Sequence, residues 1–259
     1  MEEPPSAPNP QQAHYEAIHS DYEAHYYDAP SMAYRHRFIY RPLFQDLPLN
    51  NASVADLACG SGHNSIALRS YFPTVKTTGY DISDNACRDY ERHTGFPAHM
   101  ADLTLPMPVT ESYDAALVIG GLHHCVADLK TSLENVAKMV KPGGFFMMME
   151  PNDDFLMSNV RRAWYRKDKW FEADTEEALR HDALLELGQP YFERHRLTYF
   201  GGPAFYAVLN SLILRVPLKA KPALSKILFP AERLYGLLPG RAPYAAFLAV
   251  WRRTTIEPG

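Results

Sequence analysis

Val54-Ala55-Asp56-Leu57-Ala58-Cys59-Gly60-Ser61-Gly62-His63-Asn64 reads as a short buried strand, a glycine-rich turn and a helix that starts near His63. Glycines let such a turn approach a ligand closely, and a helix N-terminus offers unpaired N–H groups. The arrangement suits the adenosine end of a cofactor, either a dinucleotide or S-adenosylmethionine (SAM). A dinucleotide fingerprint asks for a third glycine three residues on, where this chain has Ser65. Asp56, at the strand end, would repel a pyrophosphate. A cationic amino-acid cofactor would not be repelled.

Outward from this turn, strands and helices alternate. The pattern predicts strands at Ser53–Ala58, Val75–Tyr80, Pro97–Met100, Tyr113–Ile119 and Phe145–Glu150. Helices are expected over His63–Tyr71, Asp84–Arg92 and Leu129–Val140, and Lys141-Pro142-Gly143-Gly144 turns the chain into strand five. Near-continuous apolar strands between amphipathic helices mean a parallel sheet covered on both faces. Beyond it, Phe155–Trp170 and Thr175–Leu187 look helical, with Asp153 or Asp154 as N-cap of the first and Gly188 as stop of the second. Tyr191–Phe200 is a candidate sixth strand, Phe205–Leu214 an apolar helix and Ala245–Arg252 a final strand. Pro217, Pro222, Pro230, Pro239 and Pro243 are expected to break the intervening stretch into short pieces. Ahead of the sheet, residues 1–12 read as a disordered tail. A tyrosine stripe marks a helix over Ala13–Tyr27, and Pro30 interrupts before a second helix at Met32–Phe44 capped by Ser31.

At 259 residues the chain suits one large domain with modest insertions. Hydrophobic content of 46% and charged content of 22% are those of a soluble globular protein. Cys59, Cys87 and Cys125 show no metal-like spacing, no secretory signal opens the chain, and no apolar run is long enough to span a bilayer, so a cytoplasmic location is expected. The net charge of −4 is unevenly spread: Tyr191–Arg253 holds ten Lys/Arg against two Glu, which is +8 and leaves −12 for the rest. That asymmetry points to an anionic partner.

Asp81 ends strand two about 20 residues after the turn, where an acceptor-only carboxylate can take both ribose hydroxyls of an adenosine cofactor. Asp102, just beyond strand three, can accept an adenine amino group while Leu103 packs on the ring. With Tyr113-Asp114 and Lys141-Pro142-Gly143-Gly144, these features stand in the order and spacing of the class I SAM-dependent methyltransferases. The resemblance covers roughly residues 50–151 and is strongest to the small-molecule branch that includes the ubiquinone/menaquinone type. It implies an α/β, Rossmann-like doubly wound fold: a mostly parallel seven-stranded sheet, N-terminal lid helices over 13–47, a methyltransferase domain over 48–259, an α-helical insertion at about 153–190 and a second cap at 203–242. It implies SAM as cofactor and S-adenosylhomocysteine (SAH) as product. Gly60, Ser61 and Gly62 would approach the methionine portion and Asp56 its amino group. Ala58, Ile82, Leu103 and Ile119 would line the adenosine, with Asp81 at the ribose and Asp102 at the adenine. In the lid, Tyr27 would face the sulfonium and Arg37 the methionine carboxylate.

For the chemistry, His123 and His124 follow strand four at the mouth of the crevice and Glu150 ends strand five; each is a candidate base. No metal-binding motif is present, so metal-independent transfer is expected. The basic, aromatic Arg161–Trp170 and the basic, apolar stretch from Phe205 to Leu238 suit a small or lipid-like, anionic acceptor and peripheral contact with a membrane; no RNA-binding module accompanies the charge. The leading reading is O-methylation of such an acceptor. The alternatives are C- or N-methylation of a natural-product or cell-envelope precursor, a non-catalytic SAM/SAH-binding regulator, and an NAD-dependent oxidoreductase.

Overall fold

The structure is a computed structural model that describes residues 25–108, 112–160 and 177–255. Five parallel strands form one side of the sheet: β1 (Ser53–Leu57), β2 (Lys76–Asp81), β3 (Ala98–Met100), β4 (Tyr113–Ile119) and β5 (Val140–Pro151). Two more, β6 (Phe192–Phe200) and β7 (Ala246–Arg253), complete it, in the order β3-β2-β1-β4-β5-β7-β6. β7 runs antiparallel to both its neighbours. The order reverses between β1 and β4, so a ligand crevice opens at the carboxyl ends of those two strands.

Alternate residues of β1 serve two cores, which is why every position from Val54 to Leu57 is buried. Val54 faces α1 (Ala29–Arg35), α2 (Arg41–Phe44) and α3 (His63–Tyr71); Ala55 and Leu57 face α5 (Leu129–Met139) and α6 (His181–Gly188). The remaining helix on the β2–β3 side, α4 (Asp84–Thr94), is capped by Ser83, whose hydroxyl accepts from the Ala86 N–H.

Several boundaries differ from the sequence reading, each for a local reason. α1 starts at Ala29 because Asp28, not Ser31, is its cap; the Asp28 carboxylate accepts from the Ser31 N–H, and Pro30 sits harmlessly in the first turn. A π-helical turn, His36–Tyr40, then joins α1 to α2. β5 begins at Val140, so Lys141–Gly144 is a bulged strand entry and not a turn. A Cβ on Gly144 would stand 2.6 Å from the Asp114 carbonyl oxygen, so the strand passes there only as glycine.

The largest departure lies between β6 and β7. After a π-helical turn at Phe205–Leu209, the proline-rich stretch forms α7 (Lys221–Tyr235), with Pro222 in its first turn and Pro230 inside it. Tertiary anchors outweigh the interior proline. The Lys221 ammonium, fully buried, donates to the His25 carbonyl (2.6 Å) and the Ser31 hydroxyl (2.7 Å) and pairs with Asp28 (2.8 Å). Glu232, near the other end, accepts from the Tyr34 hydroxyl (2.7 Å) and from the N–H groups of Gly202 and Ala204 (both 2.8 Å). These ties fix the N-terminal helices and α7 to one another. The expected tail, most of the first lid helix and Arg161–Trp170 lie outside the described residues.

Candidate functional site

The glycine turn is left-handed at three positions: Ala58 (φ 51°), Gly60 (φ 52°) and Gly62 (φ 87°). Ala58 carries the strain of a non-glycine residue in that region. The Asp81 carboxylate accounts for part of it, accepting from the Gly60 N–H (2.9 Å) on one oxygen and from the Ser83 N–H (3.0 Å) on the other. Asp81 therefore fixes the turn and caps the next loop. Gly62 has a second reason to be small. A Cβ there would lie 2.6 Å from Thr94 Cγ2 and 3.1 Å from Tyr90 on α4.

Asp56 is wholly buried. One oxygen accepts from the Ser65 hydroxyl (2.6 Å); the other, Oδ1, has no hydrogen-bond partner. Ser65 meets the Tyr90 hydroxyl (2.8 Å), which in turn meets Thr77 (2.8 Å), and all four residues are buried. Burial pushes the Asp56 carboxyl up to about 7 against the hydrogen bond from Ser65, with the nearby Asp81 charge adding to the rise. The serine that replaces a third glycine is thus the partner of the buried aspartate. An orphaned buried oxygen beside a helix N-terminus fits the ammonium group of an amino-acid cofactor and opposes a pyrophosphate.

Above the turn, the Tyr27 ring stacks on His63 (centroids 3.8 Å apart, 17°), and the Arg35 guanidinium lies 4.7 Å from the Tyr27 centroid. The buried Tyr40 hydroxyl donates to Asn64 (2.8 Å). Tyr27 therefore lies over the start of α3, beside the glycine turn. Arg37, expected at the methionine carboxylate, is instead exposed, set against Phe38 and Phe229 (5.7 and 5.9 Å), and the arginine turned toward the glycine turn is Arg35. Two residues along a helix reverse the face, and Arg35 falls on the buried side with Ser31 and Tyr34.

Asp102 closes an Asx-type turn, with Oδ1 accepting from the Thr104 N–H (2.9 Å) and hydroxyl (2.6 Å). Leu103 is buried next to β1 and β4. Ile82 and Ile119 are half-buried at the ends of β2 and β4, and Ser61 is buried with its carbonyl bonded to His93 (2.9 Å). Asp114 and Lys141 pair at 2.6 Å, and Asp114 also accepts from the N–H and hydroxyl of Ser53. This staple joins β1, β4 and β5 at their amino ends, opposite the crevice.

Glu150 is fully buried. Its Oε1 accepts from the N–H groups of Gly121 (3.0 Å) and Leu122 (2.8 Å); Oε2 meets the His123 N–H (3.3 Å) and His123 Nδ1 (2.7 Å). Four donors on one inaccessible carboxylate exclude Glu150 as the group that meets an acceptor. It shapes the loop after β4 and holds the proton of His123 on Nδ1, which leaves the lone pair on Nε2. The His124 ring lies against that of His123 (centroids 4.0 Å). Close approach there requires Gly121, where a Cβ would stand 2.7 Å from that of Ala58. Among the described residues, no group of three His, Cys, Asp or Glu is placed to hold a metal ion, and no helix is long and apolar enough to cross a membrane.

A seven-stranded sheet of this order, with a glycine turn leading into α3 and an acidic residue ending β2, defines a Rossmann-like methyltransferase fold. Residues 55–146 match the "Methyltransferase domain" family. Glycine N-methyltransferase of Rattus norvegicus is 24% identical over 186 residues, 57% of this chain and 63% of that enzyme's length. Among solved structures, the N-methyltransferase NodS from Bradyrhizobium japonicum, in complex with SAH, superposes with a TM-score of 0.58 at 12% identity, covering 93% of this chain and 98% of NodS. The PH0226 protein from Pyrococcus horikoshii does so with a TM-score of 0.59 at 15% identity, covering 92% and 99%. Residues 55–146 thus form a methyltransferase domain on a Rossmann-like sheet, and the residues of its glycine turn fit SAM.

Proposed function

We propose that this protein transfers a methyl group to a hydroxyl oxygen of a small or amphiphilic acceptor, with His123 taking the acceptor proton. The observation that carries this reading is the 2.7 Å contact between His123 Nδ1 and the buried Glu150, because it sets the tautomer of a histidine at the carboxyl end of β4. SAM, when bound, supplies an electrophilic methyl on a good leaving group, so the transfer needs no metal. The chain supplies position and a proton acceptor. Asp81 holds the ribose hydroxyls, and Asp102, Ile82, Leu103 and Ile119 the adenine. The Ala58–Gly62 turn takes the methionine portion, with Asp56 Oδ1 at its ammonium and Arg35 at its carboxylate. Tyr27, stacked on His63, covers this end, which supports the small-molecule branch that includes the ubiquinone/menaquinone type.

A second reading, N-methylation, is supported by the likeness to two N-methyltransferases, the rat enzyme and NodS. An ammonium acceptor must also lose a proton, so His123 would serve both. The test is methyl transfer from SAM to a panel of phenols, alcohols and amines, followed by mass spectrometry, with wild type and His123→Ala. The proposal expects an O-methylated product and a turnover loss of about 10²–10⁴-fold in the variant with SAH binding retained. Products confined to nitrogen would replace the first reading by the second. No product with any acceptor, alongside tight SAH binding, would favour a non-catalytic regulator.

A further inference from the structure

We infer that α7 and the outer face of α1–α2 form a docking surface for an anionic phospholipid bilayer. Six of the thirteen exposed large apolar side chains among the described residues fall between Leu214 and Leu238. On α7 they follow helical spacing along the outward side: Ile227 (71% exposed) and Leu234 (70%), continued by Leu237 (79%) in the turn that follows. The opposite side of the helix is committed inward through Lys221, Phe229 and Glu232. This helix therefore presents an apolar stripe to solvent, although its core contacts are already made.

The charges around that stripe have one sign. Between Leu214 and Leu238 the exposed ionic side chains are Arg215, Lys219, Lys226 and Arg233, and the one acid, Glu232, is buried and held by Tyr34, Gly202 and Ala204. Beside them, Arg37 and Arg41 project from α1–α2, and neither they nor Arg233 makes an ion pair among the described residues. These three arginines are shared by two adjoining cavities of about 310 and 470 Å³. The larger has no carboxylate in its wall, only Ala33, His36 and Tyr71 besides the arginines. Concave, cationic recesses next to a convex apolar stripe match headgroup phosphates next to acyl chains. A protein partner would call for charges of both signs and a polar rim. The inference stands apart from the choice of acceptor.

The experiment is flotation of the full chain with vesicles of phosphatidylcholine alone and of phosphatidylcholine with phosphatidylglycerol. The expected result is flotation with the anionic vesicles only, lost between about 0.05 and about 0.5 M salt. A combined R37Q/R41Q/R233Q variant is expected to partition on the order of 100-fold more weakly, each cation contributing about fivefold. Leu234→Ser with Leu237→Ser should also weaken flotation while SAH affinity, the control for folding, stays unchanged. Three results would overturn the proposal: equal behaviour on both vesicle types, no flotation but saturable binding of glycerol phosphate, or no flotation and a dimer in solution that Leu234→Ser dissolves.

Discussion

Glu150→Gln separates positioning from chemistry at the heart of the site. The carboxylate takes two donors on each oxygen: Gly121 and Leu122 N–H on Oε1, His123 N–H and Nδ1 on Oε2. An amide in its place must turn an NH₂ group toward one of these pairs. Hydrogen bonds to a charged acceptor are each worth about 1.5–3 kcal/mol, so the two lost bonds would cost about 3–6 kcal/mol. His123 can recover one of them by moving its proton to Nε2 and accepting from the amide at Nδ1, leaving a net cost of about 2–4 kcal/mol. That rescue removes the lone pair from Nε2. Turnover should then fall about 10²–10⁴-fold, as for a general base held in the wrong tautomer. SAH affinity should hold, because the carboxylate faces the loop after β4 and not the glycine turn. Urea denaturation, SAH calorimetry and steady-state transfer measure the three quantities. Turnover within about threefold of wild type, with fold and SAH affinity intact, would refute the assignment of His123.

Three further outcomes follow from the geometry. Folded Asp56 keeps its proton up to about pH 7, whereas the unfolded carboxyl releases it near 4; stability therefore falls as pH rises through that window, by about 4 kcal/mol, and is flat above it. Asp56→Asn should flatten the pH 4–7 denaturation profile relative to wild type, and SAH should bind wild type more tightly as pH rises toward 7. Gly62→Ala, at φ 87° with Thr94 Cγ2 2.6 Å from the new methyl, should lose about 2–4 kcal/mol in urea. Gly95→Ala, also left-handed but with open space, should lose only about 1–2 kcal/mol. In calorimetry, Arg35→Gln should weaken SAH binding about tenfold or more while Arg37→Gln leaves it unchanged; the reverse would restore Arg37 to the site.

The glycine turn and the acidic end of β2 were legible because each depends on residues close in sequence. Phase was harder. Arg35 and Arg37 are equivalent by composition, and only packing decides which one turns inward: Arg35 shares the buried face of α1 with Ser31 and Tyr34. Ser65 was read as a missing glycine because its partner, Asp56, lies nine residues away on a different element. Glu150 looked like a second base because its four donors come from a loop almost thirty residues earlier. α7 was hidden by Pro230, whose local cost is outweighed by Lys221 and Glu232 reaching α1. Asp114 and Lys141 were read correctly as belonging to the fold's pattern, yet they staple the far end of the sheet.

The turn from Ala58 to Gly62, with Asp81 beneath it, is shaped for an adenosyl amino acid and not for a dinucleotide. Calorimetric titration of the purified protein with SAH and with NADH tests it directly. The expected result is saturable, one-to-one SAH binding that Asp81→Ala weakens by about 1–3 kcal/mol through the lost charged hydrogen bonds, and no NADH binding. Tight NADH binding with no heat from SAH would contradict it.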